Sequence, residues 1–179
     1  MSFPRNLAVT GALTAVTAVV GSLASADVQS RWYAALRKPA FQPPPAAFPI
    51  AWTTLYASIA LTSAGVLTAR ARRRAVVEPP AEAPGPVPSP VRRRPGRGFG
   101  RALLVNLTLN ASWSWVFFKQ HDLKGATVVA GALAISSADL ARRAGRVRPG
   151  YGVALMPYAA WCIFATALST TIERMNPGR

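Results

Sequence analysis

The stretch Asn6-Leu-Ala-Val-Thr-Gly-Ala-Leu-Thr-Ala-Val-Thr-Ala-Val-Val-Gly-Ser-Leu-Ala-Ser-Ala26 runs for 21 residues without a charge. As a helix it extends about 31 Å, the thickness of the hydrocarbon core of a bilayer. Similar runs recur along the chain and predict further helices over 48–69, 102–118, 125–141 and 151–172, of which the fourth span is short and weak unless Asp139 to Ala141 extend it. The expected fold is therefore all-α, an integral membrane bundle of five transmembrane helices forming one domain over 1–179. The first run has a rival reading. Arg5, the apolar run and Ala24-Ser25-Ala26 resemble a secretory signal with its cleavage site. The run exceeds the usual signal core and its basic flank is thin, which favours a retained helix.

The composition of the 179 residues fits a membrane protein. Lys and Arg number 21 against six Asp and Glu, for a net charge of +15, yet 51% of residues are hydrophobic. Apolar spans separated by basic loops combine those two features. The same composition removes much chemistry. His121 and Cys162 are the sole His and Cys, so neither a His/Cys metal cage nor an internal disulfide can form, and no metal site is expected. The six acids are scattered, and the chain has no phosphate-binding loop, dinucleotide fingerprint or zinc-protease motif.

The charges lie between the spans. Residues 70–101 hold nine Arg, and seven Pro fall between Pro79 and Pro95, so 70–98 reads as an Arg- and Pro-rich disordered insert. Its Arg72-Arg73-Arg74 and Arg92-Arg93-Arg94 clusters flank spans, which makes them topology signals and anionic-lipid contacts rather than a nucleic-acid face. With five spans, 14 of the 21 Lys and Arg fall on the side of the N-terminus and seven on the other. The N-terminus is expected in the cytoplasm and the C-terminus outside. Eighteen Arg against three Lys, in an Ala- and Pro-rich chain, suggest a GC-rich bacterial genome and hence the bacterial cell membrane.

Three spans carry aromatic stripes. Trp52 and Tyr56 share a face; Asn106, Asn110, Trp113 and Phe117 form a second stripe; Tyr158, Trp161, Ala165 and Leu168 form a third. Each stripe alone suits helix packing, whereas together they outline an apolar pocket with a few polar anchors. Asn110 at mid-span needs a partner, either a ligand or a neighbouring helix. Ala126, Ala130, Ala134 and Ala138 form a small-residue stripe suited to close packing within the bundle or to a dimer contact.

These residues carry a resemblance. Trp32-Tyr-Ala-Ala-Leu-Arg-Lys-Pro39, Phe41-Gln-Pro-Pro44 and Phe48-Pro-Ile-Ala-Trp52-Thr-Thr-Leu-Tyr56 make the first block. Leu109-Asn-Ala-Ser-Trp113-Ser-Trp-Val-Phe117-Phe118 makes the second, and Pro157-Tyr-Ala-Ala-Trp161-Cys-Ile-Phe-Ala165-Thr-Ala-Leu168 the third. In this order they resemble the signature of the TspO/MBR family, the translocator or tryptophan-rich sensory proteins. The resemblance implies five helices per chain, commonly a homodimer, and a pocket closed by the loop between the first two spans. It implies no required cofactor, and as ligands porphyrins such as protoporphyrin IX or haem, benzodiazepine-type drugs and, in animal members, cholesterol. By position, the implied pocket residues are Tyr33, Trp52, Tyr56, Asn110, Trp113, Phe117, Trp161, Ala165, Leu168 and Ser169. Two departures stand out: Pro45-Ala46-Ala47 replaces a Trp often found in the loop, and Leu168-Ser169-Thr170 lacks the Tyr of the cholesterol consensus.

The leading expectation is a membrane receptor or transport-related protein for a planar tetrapyrrole. Trp52, Trp113 and Trp161 would offer flat surfaces, Asn110 a hydrogen-bond donor, and Arg37 and Lys38 cations for propionates. One alternative is light- and oxygen-dependent porphyrin degradation at Trp52 and Trp161. Another is a membrane scaffold that recruits a partner protein through the 70–98 insert.

Overall fold

The computed structural model describes residues 2–77 and 97–178. Its elements are α1 (Phe3–Ser25), a 3-10 turn (Ala26–Gln29), a short α2 (Arg31–Ala34), α3 (Ala47–Val77), α4 (Arg97–Phe118), α5 (Leu123–Gly145) and α6 (Pro149–Met175). Among the described residues there is no strand. The five long helices close into a ring: α1 packs on α3 and α4, α4 on α5, α5 on α6, and α6 back on α3.

Helix ends depart from the apolar runs. The Arg-rich start of the expected 70–98 insert is helical as far as Val77, and α4 begins at Arg97. Hydropathy marks the part of a helix that suits hydrocarbon, whereas backbone hydrogen bonding carries the helix on into water. The remainder of the insert, 78–96, lies outside the described residues.

Four helices, α1, α3, α5 and α6, are long and apolar enough to cross a membrane by length and composition. The expected ranking is reversed, because the fourth run qualifies and α4 does not. The third run carries Asn106, Thr108, Asn110, Ser112 and Ser114, which lower its hydropathy. The fourth is lengthened at both ends, beginning at Asp122, whose carboxylate accepts from the Gly125 N–H at 2.9 Å.

α1 is inside out by the standards of a water-soluble helix. Its buried face is Asn6, Thr10, Thr14, Thr17, Gly21 and Ala24. Val16 is 61% exposed and Leu23 61%. The inward polar groups are satisfied: Asn6 Nδ2 donates to Thr68 Oγ1 at 2.8 Å and Thr10 Oγ1 to the Ala60 carbonyl at 2.8 Å. Val128, Ile135, Val153 and Ile163 likewise point outward from α5 and α6. An apolar exterior around a satisfied polar seam is stable in lipid, where association relies on packing and interhelical hydrogen bonds. These bonds also make α1 part of the bundle, as a retained helix requires.

Small residues bring α5 and α6 together. A Cβ on Gly152 would lie 2.9 Å from Gly145 Cα, so no larger residue fits that crossing. Ala126, Ala130 and Ala134 are buried on α5, which assigns this part of the alanine stripe to packing inside the bundle, while Ala138 is exposed. Pro157 lies inside α6 and removes one backbone donor from it, and nearby Ser58 Oγ donates to the Ala154 carbonyl at 2.8 Å, tying α3 to α6.

Candidate functional site

At the α2 end the ring opens around a cavity of about 860 Å³. All ten candidate residues line it: Tyr33, Trp52, Tyr56, Asn110, Trp113, Phe117, Trp161, Ala165, Leu168 and Ser169. The stripes converge because they sit at matching depths on α3, α4 and α6. Aromatic rings form the walls. Trp52 stacks on Tyr56, with centroids 5.5 Å apart and planes at 29°, and meets Trp161 edge to face at 6.4 Å and 86°. Across the cavity Trp113 stacks on Phe117 at 5.3 Å. Edge and offset contacts of this kind fix ring orientations and leave flat apolar faces.

The segment between α1 and α3 forms the lid. Ser30 caps α2 by accepting from the Tyr33 N–H, and Tyr33, Lys38, Gln42 and Pro45 face the cavity. Lys38 Nζ donates to the Tyr33 carbonyl at 2.7 Å and lies 4.1 Å over the Tyr33 ring. It is the only Lys or Arg among the described lining residues. Arg37 does not line the cavity; instead its backbone is clamped by the Asn176 side chain, through two hydrogen bonds of 2.9 Å. At the opposite corner Asp27 pairs with Lys119 at 2.8 Å, and Trp32 stacks on His121 at 4.0 Å. Burial raises the Tyr33 phenol above its ordinary pKa and the Gln42 hydrogen bond partly offsets this, so Tyr33 stays protonated at neutral pH.

Polar groups connect the cavity to the bundle interior. Tyr56 Oη donates to Asn110 Oδ1 at 2.5 Å, and Asn110 Nδ2 donates to Tyr158 Oη at 3.4 Å. Asn110 thus finds its partners on neighbouring helices, and it also lines the cavity. Two buried polar atoms in the wall, Trp113 Nε1 and Gln42 Oε1, have no hydrogen-bond partner.

Sequence reasoning missed the contribution of α1. Ala18, Gly21, Ser22 and Ser25 line the cavity, and their i, i+3, i+4, i+7 spacing was the available signal. Gln42, Phe48, Phe118 and Phe164 are further lining residues. All four stand inside the quoted motif blocks. Where Pro45-Ala46-Ala47 replaces an aromatic, Pro45 alone borders the cavity, and both Pro45 and Ala46 are exposed.

Comparison with known proteins points to one family. The model of the TspO/MBR family matches residues 9–175. The uncharacterized membrane protein YtaB of Bacillus subtilis is 31% identical over 83% of this chain and 83% of its own length. Protein CrtK of Rhodobacter capsulatus is 28% identical over 82% of this chain and 79% of its own. A tryptophan-rich sensory protein of Cereibacter sphaeroides is 29% identical over 90% and 85%, respectively.

Proposed function

The chain belongs to the TspO/MBR family, and we propose that it is a membrane receptor for a flat apolar ligand, a porphyrin such as protoporphyrin IX or haem, held in the cavity beneath the α1–α3 lid. One observation carries this reading: Trp52, Trp113 and Trp161, distant in sequence, line one cavity in which Lys38 is the only cation among the described lining residues. Three indoles match an extended π surface by offset stacking, and Lys38 matches a propionate. The volume of about 860 Å³ lies within the range of small-molecule sites.

Its apolar helices make the chain an integral membrane protein. In the proposed arrangement α4 also crosses, giving five spans, because a helix enclosed by α1 and α5 tolerates its Asn and Ser residues. The bundle sits in the bacterial cell membrane, N-terminus inside, by the charge asymmetry of the loops. A reporter after Arg179 should read extracytoplasmic, and one near Gly85 cytoplasmic; finding both on one side would break the five-span arrangement. Association of two copies through the apolar exterior fits the same picture.

Titration of the purified protein with protoporphyrin IX in the dark, followed by absorbance and Trp fluorescence, tests the reading. Saturable quenching at one site per chain is expected, and its absence would refute porphyrin binding. Repeating the titration in light tests the second reading, degradation, which the Trp52–Trp161 edge contact inside the cavity favours.

A further inference from the structure

The polar groups behind Tyr56 form a chain whose direction is fixed at its far end. Ser137 Oγ lies 2.7 Å from the Leu133 carbonyl. A carbonyl only accepts, so the Ser137 hydrogen points there and its lone pairs face Asn106. Asn106 Nδ2 lies 3.1 Å from Ser137 Oγ and 3.3 Å from Ser136 Oγ, which turns Asn106 Oδ1 toward Tyr158. Tyr158 Oη donates its hydrogen to that oxygen at 2.8 Å. It can then only accept from Asn110 Nδ2, which leaves Asn110 Oδ1 to accept from Tyr56. Asn106 and Tyr158 are both 0% exposed, so water cannot substitute for either partner.

The consequence appears at the cavity wall. We infer that Tyr56 is a hydrogen-bond acceptor toward the ligand, with Asn106 as the positioning residue that sets this polarity, so that the deep end of the cavity selects a ligand edge carrying an O–H or N–H donor. The hydroxyl hydrogen of Tyr56 is committed to Asn110, and only its lone pairs remain for the cavity. A carboxylate or ketone oxygen placed on Tyr56 Oη meets acceptor with acceptor, and desolvated polar groups without a partner are costly. Tyr56 stands nine residues along α3 from Ala47, about 13 Å deeper along the helix axis than the lid. A porphyrin therefore binds with its propionate edge at Lys38 and its opposite edge at Tyr56.

This inference rests on the proposed porphyrin binding, and a matched set of porphyrins separates the two. Protoporphyrin IX carries vinyl groups on the edge opposite its propionates. In one analogue 1-hydroxyethyl groups replace them and can donate; in the other, acetyl groups of nearly the same size can only accept. Wild-type protein in detergent should bind the hydroxyethyl analogue about tenfold more tightly than the acetyl one. Tyr56→Phe should bring the two within about twofold. Asn106→Leu removes the acceptor of Tyr158, lets the chain reverse, and should abolish or invert the preference although Tyr56 remains. Asn106→Asp restores an oxygen toward Tyr158 and should restore the preference. A merely structural role for Asn106 would lower all affinities together and leave the ratio unmoved, which overturns its positioning role. Equal binding of both analogues by wild type, or a preference that persists in Tyr56→Phe, overturns the inference while porphyrin binding stands. If none of the three porphyrins binds, the receptor reading falls and the inference with it.

Discussion

The two halves of this bundle are built from the same five helices and have opposite characters. Toward the α5–α6 corner the ring is shut. Gly152 packs against Gly145, a Cβ on Gly65 would meet the Tyr151 ring at 2.9 Å, and Val66, Phe99, Leu140 and Leu155 are fully buried. Toward the lid the helices stand apart, and Trp52, Trp113, Phe117 and Trp161 rim a large cavity. Glycine lets backbones touch, whereas an indole on each facing helix holds them apart. Tyr56, Asn110, Tyr158 and Asn106 lie between the halves and bond across them. The closed half supplies rigidity, and the open half supplies the space for a ligand.

The contrast fails first if bulk is equally tolerated in both halves. Gly152→Val places its Cβ against backbone, not against a side chain that can move, and should destabilise the protein by about 3 kcal/mol, at the upper end for overpacking. Thermal unfolding in detergent measures this, and a variant as stable as wild type would refute the tight crossing. In the open half Ala165→Leu adds comparable volume to a wall that borders empty space. Stability and insertion should be retained, while protoporphyrin IX affinity drops about tenfold, the equivalent of 1.4 kcal/mol. Unchanged affinity would remove Ala165 from the ligand site.

A smaller effect sharpens the chemistry of the open half. Trp52→Phe and Trp161→Phe preserve an aromatic face and remove the indole. For a receptor, each should cost about 0.5–1.5 kcal/mol of porphyrin affinity. If the indoles take part in degradation, affinity should hold while the light-dependent loss of porphyrin absorbance stops. That second outcome would replace the receptor reading with an enzymatic one.

Much of the open half could be read from the chain alone. Its aromatic residues recur at helical spacing within three runs, and such residues share a face whatever they pack against. The closed half was harder. Gly145 and Gly152 flank a turn, and nothing local says that they cross. The strength of the fourth span was also misjudged, because a short apolar core hid a helix lengthened at its start by the Asp122 cap and at its end by Asp139, which pairs with Arg142 and Arg143.

The sequence by itself determined that the chain is helical and suited to a membrane, and which residues of α3, α4 and α6 share a face. Charge-free runs of bilayer length and a 3.6-residue period are local properties, legible without a partner. The tertiary structure decided which way those faces turn. The threonine stripe of α1 points inward because Asn6 and Thr10 find Thr68 and the Ala60 carbonyl there, 62 and 50 residues away. It also decided the polarity of Tyr56. That depends on Tyr56, Asn110, Tyr158, Asn106 and Ser137 meeting across four helices, and the direction of a hydrogen-bond chain is set only when its last acceptor is in place.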